Sequence, residues 1–184
     1  MGDAAITLGS DDFALFDVPV RIAQDRAVLD RRWIELQREA HPDKFAAQDA
    51  AAQRLAMQWS VRINEAYQRL KDPLKRAAYL CELGGVPVNA ENNTSMPADF
   101  LMQQMEWRES LDATSSLAQL EALHEQVAGS RSAALRRCEE LLDRQHDYVQ
   151  AVAQVRALMF IERFSSDIEA RTDRFHSMPA GAAT

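Results

Sequence analysis

The sequence predicts an all-α protein, and two observations support that class. Apolar residues recur at the three- and four-residue spacing of amphipathic helices along most of the chain, whereas the strict alternation of a half-buried strand is nearly absent. Glycine and proline number only six each in 184 residues, and they cluster between the periodic stretches. Because apolar residues make up 47% of the chain, we expect it to bury a core rather than to remain disordered.

The first half of the sequence predicts a short apolar helix followed by a helix hairpin. The short helix covers about 13–18 and ends near Pro19. Helices over about 22–40 and 49–70 each carry an apolar stripe, and the short break between them predicts an antiparallel pair. The first stripe consists of Leu29, Trp33, Leu36 and Ala40, and the second of Leu55, Trp59, Ile63, Ala66, Tyr67 and Leu70.

The second half predicts an antiparallel three-helix bundle that follows a linker. A short helix over about 73–83 is expected to end at Gly84-Gly85, and the run GGVPVNAENNTSM is rich in residues that favour turns. The later periodic stretches predict helices over about 97–112, 115–144 and 146–175. We therefore divide the chain into a first domain, a linker, a second domain and a disordered tail, at residues 11–83, 84–96, 97–175 and 176–184.

Charge and composition argue against several classes of function. The formal net charge is −7, which argues against a nucleic-acid-binding protein, and most of it falls in the second half of the chain. No apolar run is long enough for a transmembrane helix, and the N-terminus lacks the basic segment of a signal peptide, so we expect a cytoplasmic protein without membrane contact. Cys81 and Cys138 form no CxxC pair, so we expect no metal and no cofactor.

The segment His41-Pro42-Asp43 carries the most information about function. Pro42 prevents the preceding helix from continuing, so the segment lies at the tip of the predicted hairpin and can present His41 and Asp43 to a partner. An ordinary turn is one alternative. Another is an acid–base His–Asp pair, which needs a pocket and further polar groups that the sequence does not suggest. Neither a Gly-x-Ser-x-Gly elbow nor a glycine-rich phosphate loop occurs, so we predict no catalytic residue.

Several motifs resemble those of a known family. The first half resembles a J-domain in the runs His41-Pro42-Asp43-Lys44-Phe45, Ile63-Asn64-Glu65-Ala66-Tyr67 and Asp72-Pro73-Leu74-Lys75-Arg76. The second half resembles the HscB family, the J-type co-chaperones of iron–sulfur cluster assembly, in Phe100-Leu101-Met102, Gln104, Glu106, Arg108-Glu109 and Leu111-Asp112, and again in Val155-Arg156, Leu158 and Phe160. The resemblance covers roughly residues 12–175.

This resemblance implies an L-shaped molecule of two α-helical domains with two protein partners. The J-domain would stimulate ATP hydrolysis by an HscA-type, DnaK-like chaperone. The bundle would bind an IscU-type scaffold protein and deliver it to that chaperone, in support of iron–sulfur protein maturation. Neither role is chemistry performed by this chain, so we expect a co-chaperone and not an enzyme.

The resemblance assigns chaperone binding to the loop and to the helix before it, at His41, Pro42, Asp43, Lys44, Arg32 and Arg38. The arginines of that helix form a basic patch that would steer the loop towards an acidic surface of the chaperone. The alternative is an ordinary solvated helix face, since Glu35 and Glu39 dilute the positive charge.

Client binding is assigned to a second set of residues, Leu101, Met102, Met105, Glu106, Glu109 and Phe160. Leu101, Met105 and Glu109 recur four residues apart, so one helix face mixes apolar groups with carboxylates. Such a face suits protein recognition, because apolar side chains supply affinity and charges supply selectivity. The alternative is core packing of Leu101, Met105 and Phe160.

Two other functions fit the same sequence. The first is a general J-domain co-chaperone whose C-terminal bundle is a structural or dimerisation module. The second is a small hydrolase that uses His41 and Asp43. Loss of turnover on replacing His41 would favour the hydrolase, whereas loss of client binding on replacing the bundle residues would favour the HscB-like adaptor.

Overall fold

The computed structural model describes residues 6–45, 49–89 and 95–177, and every regular element in these ranges is helical. This confirms the predicted all-α class. The described residues fall into two compact units, which divide between Leu80 and Cys81. The α-helices are α1 Asp12–Phe16, α2 Arg26–Glu39, α3 Ala50–Lys71, α4 Pro73–Leu83, α5 Ala98–Ala113, α6 Leu117–Glu139 and α7 Tyr148–Ser177, with a 3₁₀ helix at Pro42–Phe45 and a π-helix at Glu140–Gln145.

Aspartate side chains set the starts of the first three helices. Asp11, Asp25 and Asp49 each accept a hydrogen bond from a backbone N–H of the first turn, at 2.8 Å in all three cases. Such N-caps satisfy N–H groups that have no partner inside the helix. The apolar spacing had predicted that α2 begins near residue 22. The cap at Asp25 explains why the helix begins at Arg26 instead.

Helices α2 and α3 form the predicted hairpin, although Trp33, Ala40 and Trp59 are only partly buried and Leu55 was placed wrongly in the core. Ile63, Ala66, Tyr67 and Leu70 are buried as expected, but Leu55 is exposed and Ala56 is buried in its place. The reason is the phase of the helix: residues seven apart stay on one face, and Ala56 lies seven before Ile63, whereas Leu55 lies one residue, about 100°, away from that face.

Polar contacts also join α2 to α3. The Tyr67 hydroxyl donates to the Asp30 carboxylate at 2.7 Å, and Arg26 Nε donates to the same oxygen at 2.7 Å. These two hydrogen bonds lower the pKa of Asp30 below its ordinary value. The Trp33 ring stacks on Tyr67 with 5.0 Å between centroids, so this half-buried side chain lies at the edge of the hairpin core.

A buried carboxylate on α1 pairs with two arginines of α3. The sequence had not predicted this contact. Asp12 is fully buried, and its two carboxylate oxygens lie 2.7 Å from Arg62 Nη2 and 3.1 Å from Arg69 Nη1. The backbone N–H of Asp12 also donates to the Tyr79 hydroxyl at 3.1 Å. Removing one partner of a buried ion pair leaves charge without compensation and is strongly destabilising.

Replacing Asp12 with alanine should therefore lower the free energy of unfolding by about 3 kcal/mol. The expected loss lies at the low end of the range for buried pairs, because Arg62 and Arg69 are only partly buried and keep some solvation. Chemical denaturation measures the change. As a control, Glu35→Ala removes an exposed ion pair with Arg32 and should cost at most about 1 kcal/mol. Equal losses in the two variants would contradict the assignment.

The second unit contains the predicted antiparallel three-helix bundle of α5, α6 and α7. Its core comes from all three helices: Phe100, Trp107, Leu120, Leu123, Val127, Ala157, Ile161, Phe164 and Ile168. The predicted end of α6 near residue 144 is wrong, because α6 ends at Glu139 and the chain continues as a π-helix to Gln145. The π-helix closes at His146 in the left-handed conformation, with φ 53°. Helix α7 reaches Ser177, past the predicted end at 175, and residues 178–184 of the predicted tail lie outside the described ranges.

The described parts of the predicted linker are held by specific contacts. Gly85 has φ 79°, which fits its predicted place at the end of a helix, and a Cβ on Gly84 would lie 2.5 Å from the Tyr148 ring. The buried Arg156 of α7 donates to the Val88 carbonyl at 2.8 and 3.0 Å and to the Ser95 carbonyl at 3.3 Å. Arg156 thus binds the chain on both sides of residues 90–94, which lie outside the described ranges.

Gly129 offers a direct test of the α6 assignment. It lies inside the helix, and a Cβ at this position would meet no atom within 4 Å. Because glycine loses more backbone entropy than alanine on entering a helix, Gly129→Ala should raise the free energy of unfolding by about 1 kcal/mol. Chemical denaturation measures the gain, and a destabilised variant would show that the helix is interrupted here.

The two cysteines are buried free thiols. Burial raises the pKa of Cys81 to about 11 and that of Cys138 to about 12. At pH 8 the native protein therefore holds at most roughly one thiolate in a thousand at either position. We expect Ellman's reagent to leave both thiols unmodified in the native protein at pH 8 and to titrate two thiols in guanidinium chloride. Rapid native modification of either would contradict the assigned burial.

Candidate functional site

The His41-Pro42-Asp43 loop is exposed at the end of α2. The side chains of His41 and Asp43 are 55% and 91% accessible. The backbone N–H of Asp43 donates to His41 Nδ1 at 3.3 Å, and the N–H of Lys44 donates to the His41 carbonyl at 3.0 Å. The Asp43 carboxylate lies farther away, 3.7 Å from Nδ1. With its two polar side chains open to solvent, the turn is suited to contact with another protein.

The predicted basic patch divides into two kinds of arginine. Arg31 and Arg38 are exposed on α2, and Lys44 is exposed just after the loop. Arg32 is half-buried: its Nε donates to the Phe16 carbonyl at 3.0 Å and its Nη1 to Glu35 at 2.7 Å. Arg32 therefore helps to hold α1 against α2, and its predicted contact with a chaperone would require it to serve two purposes.

Ile34 is a surface feature that the sequence analysis missed. Its side chain is half exposed on α2, three residues after Arg31 and four before Arg38. Residues at these spacings are neighbours on one helix face. The basic patch thus contains an exposed apolar group at its centre, and the sequence signal was an isoleucine outside the buried stripe of α2.

Helix α5 separates a buried face from an exposed one. Phe100 and Trp107 lie in the bundle core, whereas Leu101, Met102 and Met105 are 45%, 69% and 64% accessible. The predicted carboxylates Glu106 and Glu109 are exposed as well. The exposed face of α5 therefore combines large apolar side chains with acidic groups, and core packing does not account for Leu101 or Met105.

Phe160 of α7 lies where the bundle core meets this surface. Its half-buried ring packs edge-on against Phe100 at 5.7 Å between centroids and stacks on Phe164 at 5.9 Å. The guanidinium of Arg108 lies 5.4 Å from the ring centroid, which places a cation of α5 over Phe160. Phe160 is thus brought next to α5 through Phe100 and Arg108, and the role of Arg108 was not foreseen.

The described parts of the chain contain neither a cluster suited to a metal ion nor a membrane-spanning helix. No group of three or more His, Cys, Asp or Glu side chains there is arranged to hold a metal ion. None of the described helices is both long enough and apolar enough to cross a bilayer.

The chain is similar to known proteins over most of its length. A family model described as the HSCB C-terminal oligomerisation domain matches residues 96–169. The chain is 47% identical to the Co-chaperone protein HscB homolog of Burkholderia thailandensis over 172 residues, which cover 92% of this chain and 98% of that protein. It is 46% identical to the homolog of Burkholderia multivorans over 175 residues, which cover 94% and 99%.

Solved structures show the same architecture. Chaperone HscB from Vibrio cholerae superposes with a TM-score of 0.78 at 34% identity, covering 90% of this chain and 99% of that chain. The crystal structure of human co-chaperone protein HscB gives a TM-score of 0.83 at 25% identity, covering 91% and 84%.

Proposed function

The chain belongs to the HscB family of co-chaperones, and on that basis we propose that it binds an IscU-type scaffold protein and delivers it to an HscA-type, DnaK-like chaperone whose ATPase it stimulates. The proposed setting is iron–sulfur protein maturation in the cytoplasm. In this proposal the chain acts through two binding surfaces and catalyses no reaction of its own. The proposed domains are residues 11–83 for the chaperone and 97–175 for the client, joined by the linker 84–96.

The exposed loop supports the chaperone-binding role. His41 and Asp43 present polar groups to solvent in a tight turn, and Lys44 and Arg38 add positive charge beside it. A contact of this kind can stimulate hydrolysis only if it favours one conformation of the chaperone over another, since equal binding to both would shift no population. Charge would then contribute chiefly to the rate of encounter.

The exposed face of α5 carries the proposal for the client. Leu101, Met102 and Met105 are solvent-accessible apolar side chains on a helix that buries Phe100 and Trp107 on its other side. Exposed apolar groups of this size next to Glu106 and Glu109 offer a partner both burial and charge selection. Phe160 extends the apolar surface on the α7 side.

Carrying both surfaces on one chain gives the proposed mechanism its physical basis. A client bound to the bundle is tethered to the loop that engages the chaperone, so its effective concentration at the chaperone rises without any new contact. The steady-state ATPase rate of a matching HscA-type chaperone tests this. We expect this protein and the scaffold together to stimulate hydrolysis more than the sum of their separate effects; simple additivity would contradict the delivery role.

One observation favours a second candidate function. The family model that matches residues 96–169 is described as an oligomerisation domain, which fits a general J-domain co-chaperone whose bundle associates with a second copy. Sedimentation equilibrium over a range of protein concentrations separates the two candidates. A stable dimer that dissociates on replacing Leu101 and Met105 with alanine would favour this alternative.

A further inference from the structure

The last turn of α2 is held by a hydroxyl group from α3. The Ser60 Oγ donates to the carbonyl of Ala40 at 3.2 Å, across the hairpin. Ala40 is the C-cap of α2 and directly precedes His41. Carbonyls at a helix C-terminus have no partner within the helix, so Ser60 satisfies a group that the end of α2 leaves free.

Ser60 differs in this contact from other serines in the described helices. The hydroxyls of Ser110, Ser132 and Ser166 each donate to a carbonyl four residues earlier in their own helix. That local bond is the usual one for a serine inside a helix. Serine also has a lower helix propensity than alanine, so local structure does not explain its presence in the middle of α3.

The Ser60 contact belongs to a hydrogen-bond network between α2 and α3. The network consists of Trp33, Gln37, Ser60 and Asn64. The Gln37 side-chain amide donates to the Ser60 carbonyl at 3.3 Å and to Asn64 Oδ1 at 2.8 Å. Trp33 Nε1 donates to the same Asn64 oxygen at 2.9 Å. This network joins the second half of α2, from Trp33 to the C-cap Ala40, to α3. Ala40 directly precedes the loop.

The loop needs such an anchor because its own hydrogen bonds are internal. Within the described ranges, His41 accepts hydrogen bonds from the backbone N–H groups of Asp43 and Lys44. They stiffen the turn, but they do not fix its direction relative to α3. That direction depends on the packing of Pro42–Phe45 against α3 and on the chain that enters the turn at Ala40, where Ser60 forms its hydrogen bond.

We propose that Ser60 is a positioning residue that orients the His41-Pro42-Asp43 loop for the chaperone through its hydrogen bond to Ala40. This inference rests on the proposed function, in which the loop is the chaperone-binding element. Loss of the hydroxyl frees the entry to the loop and adds a cost of ordering to each binding event. The contacts of the bound loop are unchanged, so the affinity of the loop falls and its maximal effect remains.

Ser60→Ala tests the proposal in the full-length protein. We expect the concentration for half-maximal stimulation of an HscA-type ATPase to rise about five-fold, as for the loss of one hydrogen bond, with the maximal rate unchanged. Ser60→Thr keeps the hydroxyl and should restore the wild-type value. Ser132→Ala is the matched control, since it removes a serine hydroxyl that bonds only within α6. A wild-type half-maximal concentration in Ser60→Ala would overturn the proposal.

Backbone ¹⁵N relaxation gives a readout that does not depend on the chaperone. Order parameters of Asp43 and Lys44 should fall in Ser60→Ala and remain unchanged in Ser132→Ala. If the wild-type protein fails to stimulate the ATPase, the proposed function is wrong, and the relaxation data still decide whether Ser60 orders the loop. Unchanged order parameters would overturn the positioning role whatever the ATPase shows.

Discussion

Replacing His41 with glutamine is expected to abolish most of the stimulation of an HscA-type ATPase, with a loss of at least about ten-fold. The imidazole is exposed, so a partner can contact it directly. Glutamine keeps a polar group of similar length but lacks the aromatic ring and its Nδ1 acceptor. If the loop acts by favouring one chaperone conformation, loss of its central contact removes the difference in affinity that drives the effect.

The variant should remain folded and should still bind the scaffold. The His41 side chain lies outside the hydrophobic core, so thermal unfolding should shift little. His124→Gln is a matched control, because this histidine is exposed on α6 and far in sequence from the loop. Full stimulation by a folded His41→Gln protein would exclude the loop as the chaperone-binding element and would leave the bundle as the only proposed surface.

The second large effect concerns the client. Replacing Leu101, Met105 and Phe160 together with alanine should weaken binding of an IscU-type scaffold at least about 100-fold. Each substitution removes an apolar side chain that a partner can bury, and a few such residues usually carry most of the energy of an interface. Isothermal titration calorimetry measures the change, with the ATPase stimulation by the variant alone as an internal check of the loop.

Controls separate lost contacts from lost structure. Phe160 packs on Phe100 and Phe164, so its removal also disturbs the bundle, whereas Leu101→Ala with Met105→Ala leaves these ring contacts intact. Met57→Ala with Val61→Ala is the matched control, since both side chains are exposed on α3. A folded triple variant with unchanged affinity for the scaffold would exclude the proposed client surface.

The sequence predicted the helices well because their evidence is local. Apolar spacing within one helix reports which residues share a face, and it placed Ile63, Ala66 and Leu70 in the core. The same spacing failed at Leu55. Leu55 and Ala56 are both apolar, so the sequence alone did not decide which of them faces the core. The spacing also failed to predict the π-helix at Glu140–Gln145, because no proline or glycine marks the change from α-helix to π-helix there.

Contacts between distant segments could not be predicted in the same way. Asp12 pairs with Arg62, and Arg156 binds carbonyls at Val88 and Ser95, over separations of fifty residues or more. Each of these residues resembles an ordinary charged surface residue until the fold brings its partner close. The α5 face was predicted correctly as exposed only because the motif resemblance outweighed core packing, which the apolar residues alone would have favoured.

The exposed methionines, two of which lie on α5, also determine where oxidants attack this protein. Met102 and Met105 of α5 are 69% and 64% accessible, and Met57 of α3 is 62% accessible, whereas Cys81 and Cys138 are buried. Peroxide should therefore form methionine sulfoxide on the α5 surface before it reaches either cysteine, which reverses the usual order of sulfur reactivity. A sulfoxide is polar, so an aged or oxidised preparation would lose apolar surface on α5 with its fold and its thiol count intact.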